Sequence, residues 1–273
     1  MKPLSQTELS SAAYDFRQTA AGESLVANLT SSPAELPLDC REAQNAPRSA
    51  IESAESAIAL GTMVNRLWKV SEGKEVKGTW ATPAQDCLRA SVLFAGAGLD
   101  RALKRLADDA LPALLDFDDE VNSKFTAFAE QAIGNGGSVN PKELVSLLLG
   151  RGETPRDTLS NRWRYELQSA SAQSAERVEQ FALALGVTDA SLRKRIKPTP
   201  KKTSRLERAF SARNQIAHEL DVTKPTEAVR QRLERIRRQR SVGDVREYVV
   251  EMLDVTQCVI NDVAARLVAN GAV

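Results

Sequence analysis

An all-α fold follows from three features of this sequence. Aromatic residues supply only 5% of its 273 positions and β-branched runs are few, so little is left to build sheets. Ala, Leu, Arg and Glu are plentiful, and these residues favour helix. Apolar side chains recur at helical spacing over long windows, and clusters of Gly and Pro separate those windows. The expected architecture is a helical bundle held by packed apolar stripes.

The elements can be placed in chain order. Leu4, Leu9, Ala12, Ala13 and Phe16 stripe a first helix over 4–21. Pro33, Pro37 and Pro47 predict a loop or extended connector over 31–47. A long helix follows over 48–70, with Ile51, Ala54, Ile58, Met63, Leu67 and Trp68 on a drifting apolar face. Gly73, Gly78 and Pro83 interrupt it, which makes residues 1–75 a helical extension and 84–273 the main domain. The next helix spans 84–107 on Leu88, Val92, Leu93, Leu99, Leu103 and Leu106. Its Gly96-Ala97-Gly98 lacks the later Gly and Lys-Ser/Thr of a phosphate loop, and no strand precedes it. Small residues that let helices pack closely are the simpler explanation.

Pro112 opens a helix to Ile133 whose first turns carry Asp116, Asp118, Asp119 and Glu120, where the helix dipole favours negative charge. Adjacent carboxylates point in different directions, so they read as dipole partners rather than a metal site. Asn140-Pro141-x-Glu143 caps a short helix through Leu149. Residues 155–185 are helical in one or two pieces, bury Trp163, Leu167, Val178, Phe181, Leu183 and Leu185, and end at Gly186. Thr188-Asp189-x-Ser191-Leu192 starts a short helix to Ile196, and a basic loop with Lys201 and Lys202 follows. A helix from 204 to 220 carries Leu206, Ala209, Phe210, Ala212, Ile216 and Ala217. Thr226-Glu227 caps an Arg-rich segment anchored by Leu233 and Ile236. The last helix, over 244–267, is striped by Val245, Val249, Met252, Val255, Val259, Val263 and Leu267.

The formal charge of +1 conceals an asymmetry. Residues 151–273 hold 23 Lys and Arg against 16 Asp and Glu, a net of +7, and residues 1–150 hold 14 against 20, a net of −6. A basic half is the distribution of a surface that meets nucleic acid. Cys40, Cys87 and Cys258 are scattered and odd in number, which suits a reducing cytosol and builds no zinc spacing. No signal peptide or membrane-spanning run of roughly 18 apolar residues is evident, so the expected location is cytoplasmic.

The chemistry concentrates in Ser211-Ala212-Arg213-Asn214-Gln215-Ile216-Ala217-His218-Glu219-Leu220, which holds the only histidine of the chain. Histidine both takes and gives a proton near neutral pH. Arginine offers an always-charged fork of donors that fits phosphate. Asn214 and His218 share a helix face, whereas Arg213 and His218 are about 140° apart around an ideal helix. They converge if the Arg side chain curls round, if the helix loosens at His218, or if a second copy of the helix completes the site. A histidine near a helix C-terminus also serves simply to cap it or to neutralise the dipole.

Arg213-Asn214-x-x-x-His218, with Ile216 and Ala217 before the His, resembles the motif of the HEPN superfamily, especially its branch linked to RNA processing and anti-phage defence. The likeness is sharp over about ten residues. It implies an all-α HEPN-like domain over 84–273, dimerisation with the motif helices facing, and RNA cleavage without metal or cofactor. In that reading the catalytic residues are Arg213, Asn214 and His218. Asp100 is an acidic residue of the first long helix, and the resemblance has it support the motif Arg or the dimer partner. Read from charge alone, the basic loop and the Arg-rich run that continues to Arg240 are either solvated surface or phosphate contacts, and in the second case Arg230, Arg232, Arg235, Arg237 and Arg238 would contact RNA together with Lys201 and Lys202. The expected function is a toxin or defence endoribonuclease of a prokaryote, restrained by an antitoxin or regulatory partner. The alternative is a catalytically silent module that binds RNA or a protein.

Overall fold

Nine helices make up most of the regular structure in the computed structural model, which describes residues 29, 40–75, 78–135, 138–150, 152–197, 203–223 and 236–270. They are α1 (Arg41–Ser71), α2 (Thr82–Phe117), α3 (Asp119–Ile133), α4 (Pro141–Leu148), α5 (Pro155–Ser169), α6 (Ala175–Ala184), α7 (Ala190–Ile196), α8 (Arg205–Glu219) and α9 (Val242–Ala269). Between α3 and α4 lies a minimal hairpin, β1 (Gly134–Asn135) antiparallel to β2 (Ser138–Val139), with Gly134 opposite Val139. The fold is an all-α helical bundle. No described helix is long and apolar enough to cross a membrane. The helix expected over 4–21, the Lys201–Lys202 loop and the stretch with Arg230, Arg232 and Arg235 lie outside the described residues.

Local chemistry sets most helix starts. Asn140 accepts from the Lys142 N–H ahead of α4, Asp189 from Leu192 ahead of α7, and Ser204 from Glu207 ahead of α8. Thr154 and Asp157 close a full capping box on α5. The exposed Asp189 carboxyl lies below its ordinary range because the Ser191 hydroxyl and the Leu192 N–H both stabilise the anion. Gly186, at φ +76, ends the α6 turn as expected, and a side chain there would meet Val121 Cγ2 at 3.0 Å.

Two prolines depart from the sequence expectation. Pro47 lies inside α1, not in a connector, and Pro112 lies inside α2, not at the start of the next helix. Around Pro112 the side chains of Ala110, Leu111, Leu114 and Leu115 are buried, and their packing outweighs the lost backbone bond. The break comes instead at Asp118, which accepts from Val121 N–H at 3.0 Å and receives Arg266 Nη1 at 3.0 Å. The acidic cluster thus caps α3 and pairs with a basic side chain.

The chain divides into two compact units drawn from separated stretches. Ala46–Leu99 and Pro198–Val255 belong to the first, and Pro33–Asn45, Asp100–Lys197 and Thr256–Val273 to the second. Residues 46–75 and 84–99 thus fall in the same unit. In the second unit α3 packs on α5 and α6, and α6 packs on α7. Trp163 lies between Phe125 and Phe128 with ring centroids 5.7 and 5.8 Å away.

In the first unit the small residues of α2 admit α1 closely. A Cβ on Gly98 would collide with Ala50 Cβ and lie 3.2 Å from the Ala46 carbonyl oxygen, so α1 itself would have to move. Gly98→Ala is expected to cost about 1–3 kcal/mol, read as a lowered midpoint in urea unfolding.

Candidate functional site

Helix α8 presents the motif. Its buried face is Leu206, Ala209, Phe210, Ala212 and Ile216, which leaves Arg213, Asn214 and Gln215 half-buried and His218 exposed. Arg213 lays its stem across α2 at Gly96, where an added Cβ would stand 3.3 Å from Arg213 Cγ. The guanidinium then turns back along its own helix, and Nη1 donates to Asn214 Oδ1 at 3.0 Å. Arg213 and Asn214 are thus joined. His218 stands in the last turn, where a cation complements the helix dipole. No hydrogen bond between its ring and Arg213 or Asn214 occurs among the described residues.

The end of α8 is unusual. Leu220 (φ 50°) and Asp221 (φ 62°) both adopt the left-handed conformation, although neither is Gly or Asn. Both N–H groups donate to the Gln215 carbonyl, the Asp221 bond at 2.9 Å. Asp221 is 0% exposed, and it is held by two arginines that are 4% and 6% exposed. Arg89 Nε of α2 donates to its Oδ2 at 3.0 Å. Arg240 contributes Nε to Oδ2 at 3.0 Å and Nη2 to Oδ1 at 2.6 Å. Arg240 Nη2 also reaches Gln215 Oε1 at 3.3 Å. Gln85 closes the other side, accepting from Arg240 N–H at 2.8 Å and donating to its carbonyl at 3.1 Å.

The Arg-rich run therefore divides in two. Ile236 is buried, as expected, but the stretch from 237 to 241 is not helical, and Arg237 pairs with Val222 in an antiparallel bridge. Arg237 Nε donates to the Leu220 carbonyl at 2.9 Å, and Nη2 pairs with Asp86 at 2.9 Å. The Arg240 expected at the RNA surface is instead an internal counter-ion of Asp221. Burial next to the fixed Asp221 carboxylate is what turns Arg240 inward. Arg238 remains exposed, and its backbone N–H donates to the Asp221 carbonyl at 2.8 Å.

Asp100 is engaged within the second unit. Its Oδ1 accepts from Ala172 N–H at 2.6 Å, and its Oδ2 pairs with Lys104 Nζ at 3.1 Å. It therefore braces the approach to α6.

The first unit also holds a cleft of about 660 Å³ between α1 and α2, lined by residues including Ser53, Leu60, Cys87 and Phe94. Burial, then the Asp86 carboxylate, pushes the Cys87 thiol above its ordinary range, so it is protonated at neutral pH. The Arg213, Asn214 and His218 side chains do not line this cleft.

Relief of the left-handed strain gives a direct test of the helix end. Leu220 is 59% exposed, so Leu220→Gly loses little burial. It is expected to raise stability by about 0.5–1 kcal/mol in urea unfolding. The chain matches no family model, no curated protein and no solved structure.

Proposed function

We propose that the chain is a metal-independent endoribonuclease in which the 2′-hydroxyl of RNA attacks the adjacent phosphorus. The observation that carries this reading is the joined Arg213–Asn214 pair, with His218 exposed one turn beyond Asn214 on the same helix. The 2′-oxygen bonds to phosphorus and the bond to the 5′-oxygen breaks, leaving a 2′,3′-cyclic phosphate and a 5′-hydroxyl. His218 takes the 2′-hydroxyl proton as base or gives one to the leaving 5′-oxygen as acid. Arg213 offsets the charge that builds on the phosphoryl oxygens, and Asn214 holds the guanidinium in place. One histidine per chain serves both proton transfers most simply as a homodimer with motif helices facing. Arg238 adds a phosphate contact beside the helix end.

In this reading the biological role is a toxin or anti-phage effector acting in the cytoplasm, with an antitoxin or regulatory partner to restrain it. The test is incubation of total tRNA and a single-stranded RNA with the chain in EDTA, with the ends identified by mass spectrometry. Cyclic-phosphate ends are expected. A second reading, the catalytically silent RNA- or protein-binding module, draws on the separation of His218 from Arg213 and Asn214 within one chain. It predicts salt-dependent RNA binding and intact RNA.

A further inference from the structure

We propose that Asp221 is a positioning residue for His218: clamped between Arg89 and Arg240, it fixes the left-handed turn that ends α8 and so sets where the imidazole stands relative to Arg213 and Asn214. This inference rests on the ribonuclease reading for its catalytic consequence and on geometry for the rest.

Two observations carry it. The first is strain placed immediately after the histidine. Leu220 and Asp221 are consecutive left-handed residues with side chains, a conformation that persists only where its surroundings impose it. Here the surroundings do so, with three side-chain donors from two arginines on the Asp221 carboxylate and two backbone donors on the Gln215 carbonyl. Gln215 follows Asn214 directly and precedes His218 by three residues, and Arg240 also grips its side chain. The segment that joins the phosphate-binding pair to the proton carrier is therefore held at its backbone and at its side chain.

The second observation is the role of α2 as a ruler. Gly96 receives the Arg213 stem, and Arg89 receives Asp221. Arg89 and Gly96 are seven residues apart, two turns along one face of α2, or about 10.5 Å. Arg213 stands within α8 and Asp221 lies just past its last residue, Glu219, in the left-handed turn, so the two contacts follow in the opposite sense along α8. The two helices are thus registered at both ends of the motif. Moving Asp221 slides the His218 end of α8 while the Arg213 end stays on Gly96.

The single histidine of the chain makes this measurable, because its imidazole C–H resonance reports on His218 alone. The experiment compares wild type, Asp221→Asn, Asp221→Glu and Asp118→Asn as full-length proteins, by cleavage of a single-stranded RNA in EDTA and by the histidine resonance. Asp118→Asn is the control, because Asp118 pairs with Arg266 within the second unit. Both Asp221 variants are expected to lose about ten- to a hundredfold in kcat with KM within about twofold, and to displace the histidine resonance, whereas the control does neither. An unmoved resonance and an unchanged kcat per folded molecule in both variants would overturn the proposal. So would a wild-type Asp221→Glu beside an impaired Asp221→Asn, since charge alone would then be the cause. If the Asp221 variants do not fold, Arg240→Lys keeps the charge but loses the fork, and the same two readouts apply. If wild type leaves RNA intact, the ribonuclease reading fails, and the histidine resonance still decides whether Asp221 positions His218.

Discussion

Replacing His218 with Ala is expected to lower the rate of RNA cleavage by about 10²–10⁴-fold, the range of a lost general acid or base. Arg213→Ala should cost about 10²–10³-fold through the uncompensated charge of the transition state. The His218→Ala loss should not be confused with unfolding. His218 is exposed in the last turn of α8, and substitution at such a site shifts stability within about 0.5 kcal/mol. Circular dichroism melts of wild type and His218→Ala should therefore overlay while their cleavage time courses separate. Cleavage that survives His218→Ala unchanged would remove the motif from the mechanism altogether.

The second large effect concerns stability. Asp221→Ala leaves the buried Arg240 without its carboxylate and Arg89 with only the exposed Asp86, and is expected to cost about 3–5 kcal/mol in urea unfolding. Breaking one partner of a buried ionic cluster strands the remaining charges, which is far worse than losing a surface pair. Arg238→Ala is the contrast, since its side chain is exposed and the expected change is within about 0.5 kcal/mol. A small effect of Asp221→Ala would mean that water reaches the cluster and that the turn after α8 is loosely held.

Helix content and most boundaries were legible in the sequence because they depend on near neighbours. The caps at Asn140, Asp189 and Ser204, the end at Gly186 and the stripe of α9 all rest on spacing within a turn or two. Gly96 and Gly98 were legible as packing residues, though not what packs there. Pro47 and Pro112 were misread as boundaries because local propensity says nothing of the apolar contacts that hold a helix through a proline. The motif residues stood out by type, yet the cluster behind them did not. Arg89 and Asp221 are 132 positions apart, and a charged residue read by pattern alone is assigned to the surface. The same assumption placed Arg237 and Arg240 on an RNA-facing stripe. One clue was present: the helix that ends after His218 has no Gly or Asn to close it, so its closure had to come from elsewhere in the chain.

The position of Arg240, 19 residues after Asp221, also bears on the order of events during synthesis. Helix α8 can form as soon as its own residues are made, but its final turn has no complete set of partners until Arg240 has been translated. A chain interrupted anywhere before that arginine carries every residue of the motif and yet lacks the Arg240 half of the clamp on Asp221.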